Sequence, residues 1–381
     1  MPSAATVVVG GLVIQVVLMI ALVGGPMEFG QLIEANYLVA MDPMAQVDTS
    51  HMKGASVLIT GANRGLGRGI ATRLLEAGAD VTLACRSGVP GVGEALARET
   101  GNAAVDMVRV DMADLASVES AVLALKHKGP VGGKGGGGGE SGEGGEGEGQ
   151  RPPFDHIILN AAVVDPVPKF LAGNGETKPL SRMFAVNYLS NVVLVAGLIR
   201  EGLVKEGTRV TYIGSGSYKD GSADFFGAYD NYTVLSAMRY YGQTKFLMQT
   251  WMQVMHRHYH QAKRVKHGPS LTFGSHNPGP IVSDMGDPAS HLPSLLYPTY
   301  AAMVKMFFFE PYIAAAPVVG YVTRPDFTPG GYMNVRQVRN ERDTRGRGAG
   351  TKGRGGEGGW ICWVGWWCGV VRWLLHGSLR G

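Results

Sequence analysis

Short apolar runs alternate with amphipathic ones along the middle of the chain. Residues 55–60 (ASVLIT) are apolar and β-rich, a glycine turn follows, and residues 70–78 (IATRLLEAG) repeat apolar positions at helical spacing. The same alternation predicts strands at 80–84 (DVTLA), 107–110, 154–159, 209–214 and near 270–273. Helices are predicted from Leu115 to near Lys126, around the segment MFAVN at 183–187, and over the run MRYYGQTKFLMQTWMQVM. Strands that alternate with helices imply an α/β fold, a doubly wound parallel sheet of the Rossmann type with helices on both faces.

Three segments break this pattern. Residues 6–25 hold twenty positions with no charge, long enough to cross a bilayer as a helix, and no Lys or Arg precedes Lys53. An uncleaved membrane anchor is expected there, ahead of a cleaved signal peptide or a hydrophobic interfacial segment. Between 132 and 149, twelve of eighteen residues are Gly and four are Glu, which leaves nothing to offset backbone entropy, so the insertion 129–150 reads as a flexible surface loop. Residues 336–381 form an Arg/Gly-biased and then Trp-rich tail that reads as disordered. The resulting organisation is a hydrophobic segment 1–52, a folded domain 53–335 carrying the insertion, and the tail.

Composition removes several classes. Three cysteines among 381 residues cannot staple a large fold, and no Cys/His cluster has metal-ligand spacing, so no metal is expected. The net charge of +4 comes from the tail, where residues 336–357 carry seven Arg or Lys against three acids. The body is slightly acidic and has no nucleic-acid footprint.

The glycine turn Gly61-Ala62-Asn63-Arg64-Gly65-Leu66-Gly67 lies between strand and helix, where missing Cβ atoms let a pyrophosphate approach the helix N-terminus. The second strand ends in Cys85-Arg86-Ser87, with no acidic residue to meet ribose hydroxyls. Arg86, helped by Arg64, offers a cationic fork to a 2′-phosphate, which favours NADP(H) over NAD(H). The third strand ends in Asp111-Met112; Asp111 either meets the adenine amino group or caps the helix beginning near Leu115.

From Lys53 to Val335 the chain resembles the short-chain dehydrogenase/reductase family, its retinol-dehydrogenase-like members in particular. Asn160-Ala161-Ala162 is similar to the family motif closing the fourth strand, with Ala162 in place of Gly. Asn187, Ser215, Tyr241 and Lys245 stand in family order at the catalytic positions, Tyr241 and Lys245 one helical turn apart. Pro278-Gly279, with Ile281 and Ser283, resembles the loop that meets the nicotinamide amide. The resemblance implies Tyr241 as general acid and base, Lys245 lowering its pKa and holding the nicotinamide ribose, Ser215 binding the carbonyl oxygen, and Asn187 holding a water. It also implies cofactor contacts from Gly61, Asn63, Arg64, Gly65, Leu66, Gly67, Arg86, Asp111, Met112, Asn160 and Ala161.

The function expected is NADPH-dependent hydride transfer to or from a lipophilic carbonyl or alcohol of retinoid, steroid or lipid type. The apolar stretch 291–309 is expected to cover that substrate, and residues 220–232 to form a loop at its entrance. A membrane-associated enzyme of the endoplasmic reticulum, paired as a homodimer, is implied. The alternative is a non-catalytic NADP(H)-binding sensor or scaffold.

Overall fold

The computed structural model describes residues 48–129, 151–165, 167–171, 180–223, 233, 236–265, 269–279, 281, 309–324 and 332–334. The expected anchor 6–25, the body of the Gly/Glu insertion, Ser283, residues 224–232, nearly all of 291–309 and the tail lie outside them.

Seven parallel strands form one sheet: β1 (Ser56–Thr60), β2 (Asp80–Cys85), β3 (Val105–Arg109), β4 (Phe154–Leu159), β5 (Val204–Ile213), β6 (Thr272–Asn277) and β7 (Tyr332–Asn334). Their order is β3-β2-β1-β4-β5-β6-β7, so the direction of winding reverses between β1 and β4. Loops leaving these two strands diverge and open a crevice at the carboxyl edge. Helices α1 (Gly65–Glu76), α2 (Gly91–Thr100), α3 (Leu115–His127), α4 (Arg182–Arg200), α5 (Ala237–Val265) and α6 (Pro311–Thr323) are distributed over both faces. Every residue of β1 is buried, as a strand covered on both sides requires.

One core joins α1 and α6 to the sheet through Ile70, Leu74, Ala315 and Val319. The other joins α3, α4 and α5 through Val122, Leu194, Leu198, Met248 and Met252. Helix α4 is long and apolar enough to cross a membrane, but Leu194, Val195 and Leu198 lie in this second core, which accounts for its composition. Met52 is fully buried under α1, so packing of the domain starts a turn before the Lys53 boundary read from the sequence.

The two ends of the Gly/Glu insertion meet at one carboxylate. Asp106 on β3 accepts from Lys128 Nζ at 2.8 Å and from Arg151 Nη2, while Arg151 Nη1 also donates to Thr82 Oγ1 at 2.6 Å. Arg151 is almost completely buried. Because the ends are already fixed together, added loop length costs little, about 0.6 kcal/mol for each doubling. Deleting residues 130–150 while keeping Lys128 and Arg151 is therefore expected to leave the thermal unfolding temperature nearly unchanged. Asp106→Ala, which leaves the Arg151 guanidinium buried without its charge partner, should lower stability by about 3–5 kcal/mol in denaturant titration.

Candidate active site

The first half of the crevice is built by the β1–α1 turn. Gly61 and Gly65 have positive φ (66° and 55°), and a Cβ on Gly67 would stand 2.5 Å from both Asn160 Nδ2 and the Gly61 carbonyl. Asn160 locks this geometry: its Nδ2 donates to the carbonyls of Thr60 (2.9 Å) and Gly61 (3.2 Å). Thr60 Oγ1 in turn accepts the N–H groups of Asn160 and Ala161, each at 3.0 Å. Arg64 starts α1 in an extended conformation without a side-chain cap, so the first helical N–H groups are presented to an anion. Leu66 is buried against the core below.

Asn63 Nδ2 donates to Ser87 Oγ at 3.2 Å, tying the turn to the end of β2 beside the exposed Arg86. Burial pushes the neighbouring Cys85 thiol up to about 11, against N–H groups of Ala62 and Asn63 directed at it. Arg86 and Asp111 line a cleft of about 590 Å³ together with Arg109, the last residue of β3. Arg109 carries no motif of its own; its place became visible only through the parallel register that sets it beside Cys85. Asp111 is not the cap of α3. Asp114 is, accepting from Ala116 N at 3.0 Å, whereas Asp111 Oδ1 accepts from Ala113 N at 2.9 Å. Met112 is buried and its carbonyl accepts from Ser190 Oγ at 2.6 Å.

The second half is built on α5. Tyr241 and Lys245 share one face of this helix and are 8% and 3% exposed. Tyr241 is hydrogen-bonded to Ser215 at the end of β5. Lys245 Nζ donates to the Ile213 carbonyl at 3.1 Å and sits 4.8 Å from the Tyr212 ring centroid and 5.4 Å from that of Tyr241. Gly242 lets the Gly216–Asp220 turn seat on the helix, since a Cβ there would lie 2.4 Å from the Ser217 carbonyl. Gln243 holds the same loop, bonding Ser222 N at 2.9 Å and Ser222 O at 3.0 Å. Tyr240 is fully buried as packing.

Asn187 lies in a π-helical turn of α4 (Ala185–Leu189). Its amide is fully engaged, accepting from Val163 N at 2.8 Å and donating to Val163 O at 2.9 Å and Thr244 Oγ1 at 3.1 Å. The side chain is thus a bridge from β4 to α5. At β6, Pro278 is buried, Gly279 N donates to Asn277 Oδ1 at 3.1 Å, and Ile281 bridges Phe309. Ala162, like Asn160 and Ala161, is half-buried at the mouth of the crevice. Among the described residues no cluster of three or more His, Cys, Asp or Glu is arranged to hold a metal ion.

The electrostatics depart from expectation at one point. Burial raises Tyr241 to about 12, with the Ser215 hydrogen bond pulling it back down only in part. Burial lowers Lys245 to about 7. Desolvation is the largest influence on both groups and favours the neutral form of each.

A parallel sheet with a switch-point crevice and a glycine cradle is the Rossmann type of fold, and it carries a Ser/Tyr/Lys group at its edge. A family model described as short chain dehydrogenase matches residues 55–132. "Dehydrogenase/reductase SDR family member 13" of Bos taurus is 28% identical over 46% of this chain and 39% of its own length. Human "Retinol dehydrogenase 14" is 25% identical over 71% of this chain and 77% of its own. A crystal structure of a short chain dehydrogenase from Burkholderia cenocepacia J2315 in complex with NADP has the same fold, with a TM-score of 0.50, 19% identity, and coverage of 74% of this chain and 96% of that one. Over these spans the chain is similar to the short-chain dehydrogenase/reductase family, its retinol-dehydrogenase-like members included.

Two outcomes follow from this geometry. Gly67→Ala forces apart Asn160 and the Gly61 carbonyl, and should weaken dinucleotide binding in a fluorescence titration by about tenfold or more, or about 1.4 kcal/mol. Lys245 is depressed from 10.5 to about 7, so its contribution to stability is present above pH 10.5 and lost as pH falls through 7. In the cofactor-free protein, the gain in stability between pH 7 and pH 10 should be smaller in Lys245→Met by on the order of a few kcal/mol.

Proposed function

We propose that the protein reduces the carbonyl group of a lipophilic substrate with NADPH, with Tyr241 as proton donor. The observation that carries this reading is the burial of Tyr241 and Lys245 at the carboxyl end of β5, with Ser215 hydrogen-bonded to Tyr241, beside a cradle that excludes even a Cβ at Gly67.

The residues suit a phosphorylated dinucleotide. The cradle and the uncapped start of α1 receive a pyrophosphate, and Arg86, Arg109 and Arg64 supply cations for a 2′-phosphate. When bound, the nicotinamide supplies hydride to the carbonyl carbon. Tyr241, protonated at neutral pH, gives its proton to the oxygen on which charge grows. Ser215 shares that hydrogen bond and orients the same oxygen. Lys245, lowered to about 7 by burial, would return a proton toward the phenolate and hold the nicotinamide ribose of a bound cofactor. The reverse reaction needs Tyr241 as a base, so alcohol oxidation is favoured as the solution becomes alkaline.

Asn160 and Asn187 position the two halves. Ser283, Ile281 and the Pro278-Gly279 turn are assigned to the nicotinamide side, and Asp111 and Met112 to the adenine side. The apolar residues Val163, Val164, Phe184 and Met238 around Tyr241 support a lipophilic substrate of retinoid, steroid or lipid type. The charge-free run 6–25 supports attachment to a membrane, with the endoplasmic reticulum as its site, and a homodimer is proposed by analogy with the family. The sensor reading loses ground because none of the four catalytic positions is substituted.

With NADPH and a panel of retinoid, steroid and long-chain aldehydes and ketones, Tyr241→Phe should lower kcat about 10²- to 10⁴-fold. Arg86→Ala should raise the KM for NADPH and leave that for NADH unaltered. Turnover unaffected by Tyr241→Phe would refute the mechanism.

A further inference from the structure

The segment leaving β4 is fastened at two points. Asn187 holds the backbone of Val163 from both sides, as described above. Two residues further, the carboxylate of Asp165, 2% exposed, faces the guanidinium of Arg182 at the start of α4. Arg182 Nε donates to Oδ2 at 3.0 Å and Nη2 donates to Oδ1, with Lys169 Nζ 3.8 Å from Oδ1. Backbone pairing extends the attachment: Arg182 N donates to Lys169 O and Leu171 N to Leu180 O, both at 2.8 Å, with Phe170 opposite Ser181.

Between the two fasteners stands Val164. It packs with Val163, Phe184 and Met238 against the cluster of Met183, Tyr240 and Tyr241. Farther out, Val167 and Phe170 turn large apolar surfaces to solvent. A bidentate guanidinium–carboxylate pair fixes direction as well as distance, and a carboxylate buried this deeply is held only while its partner is in place. The proton transfer proposed for Tyr241 uses neither Asp165 nor Arg182.

We propose that the Asp165–Arg182 pair is a positioning clasp for the substrate-side wall of the site, holding Val164 beside Tyr241 so that an apolar carbonyl compound is aligned there. The inference rests on the reading of Tyr241 as proton donor and concerns substrate recognition, not cofactor binding.

The test measures steady-state kinetics of the full chain with NADPH and decanal, for the wild type, Asp165→Asn, Val164→Ala and Tyr241→Phe. Asp165→Asn should raise the KM for decanal about tenfold or more, with kcat and the KM for NADPH each changed by less than about twofold. Val164→Ala, which leaves the ion pair in place, should raise the decanal KM in the same direction. Should both variants leave that KM unchanged, or should Asp165→Asn raise both KM values equally, the clasp is only structural and the proposal fails. A wild type that reduces no decanal, or a Tyr241→Phe variant as active as wild type, overturns the catalytic reading and the clasp's role with it; normal turnover abolished by Tyr241→Phe but indifferent to Asp165 and Val164 overturns the clasp alone.

Discussion

A lysine removed from water organises this site. Among the described residues Lys245 donates to the Ile213 carbonyl and faces the rings of Tyr212 and Tyr241. Holding an ammonium there is costly, and its pKa falls accordingly. To keep it there, α5 is pressed against the end of β5 and gripped on its other sides by the Ser217 backbone at Gly242, by Ser222 through Gln243 and by Asn187 through Thr244. The same pressure buries Tyr241 and raises it. Burial thus favours the protonated phenol and the neutral amine.

Side chains bonded to backbone connect the two halves of the crevice. Asn160 and Thr60 hold the glycine turn against the end of β4, and three residues later Val163 is taken by Asn187, which also holds Thr244 on α5. The strand end at the switch point is thus tied to the glycine turn on one side and, through Thr244, to the helix that carries Tyr241 on the other. Asn160 Nδ2 and the Asn187 amide make this alignment.

The features legible in the sequence are those whose causes are local. The run from Ser56 to Glu76 needs only an apolar strand, a turn that admits no Cβ and a helical repeat, and it stands where expected. Tyr241 and Lys245 are legible because helical spacing alone puts them on one face. Strand β5 begins earlier than its apolar core, at Val204, because Lys205 to Gly207 are polar and exposed at its amino end. Helix α6 was not anticipated: Ala314 to Val319 are buried all round, so no amphipathic stripe marks it. Asp106 gathering Lys128 and Arg151, the Asp165–Arg182 pair and the place of Arg109 are tertiary, each depending on which strands and turns become neighbours. The burial that raises Tyr241 is likewise a property of the assembled core and carries no sequence mark.

The most direct measurement is an NMR titration of ¹³Cε-labelled lysines in the cofactor-free protein, with the Lys245 resonance assigned by its loss in Lys245→Met. An inflection near pH 7 is predicted for that resonance. A resonance that titrates near the ordinary lysine value of about 10.4 would show that the amine is solvated, and would contradict the buried proton-handling pair on which the account rests.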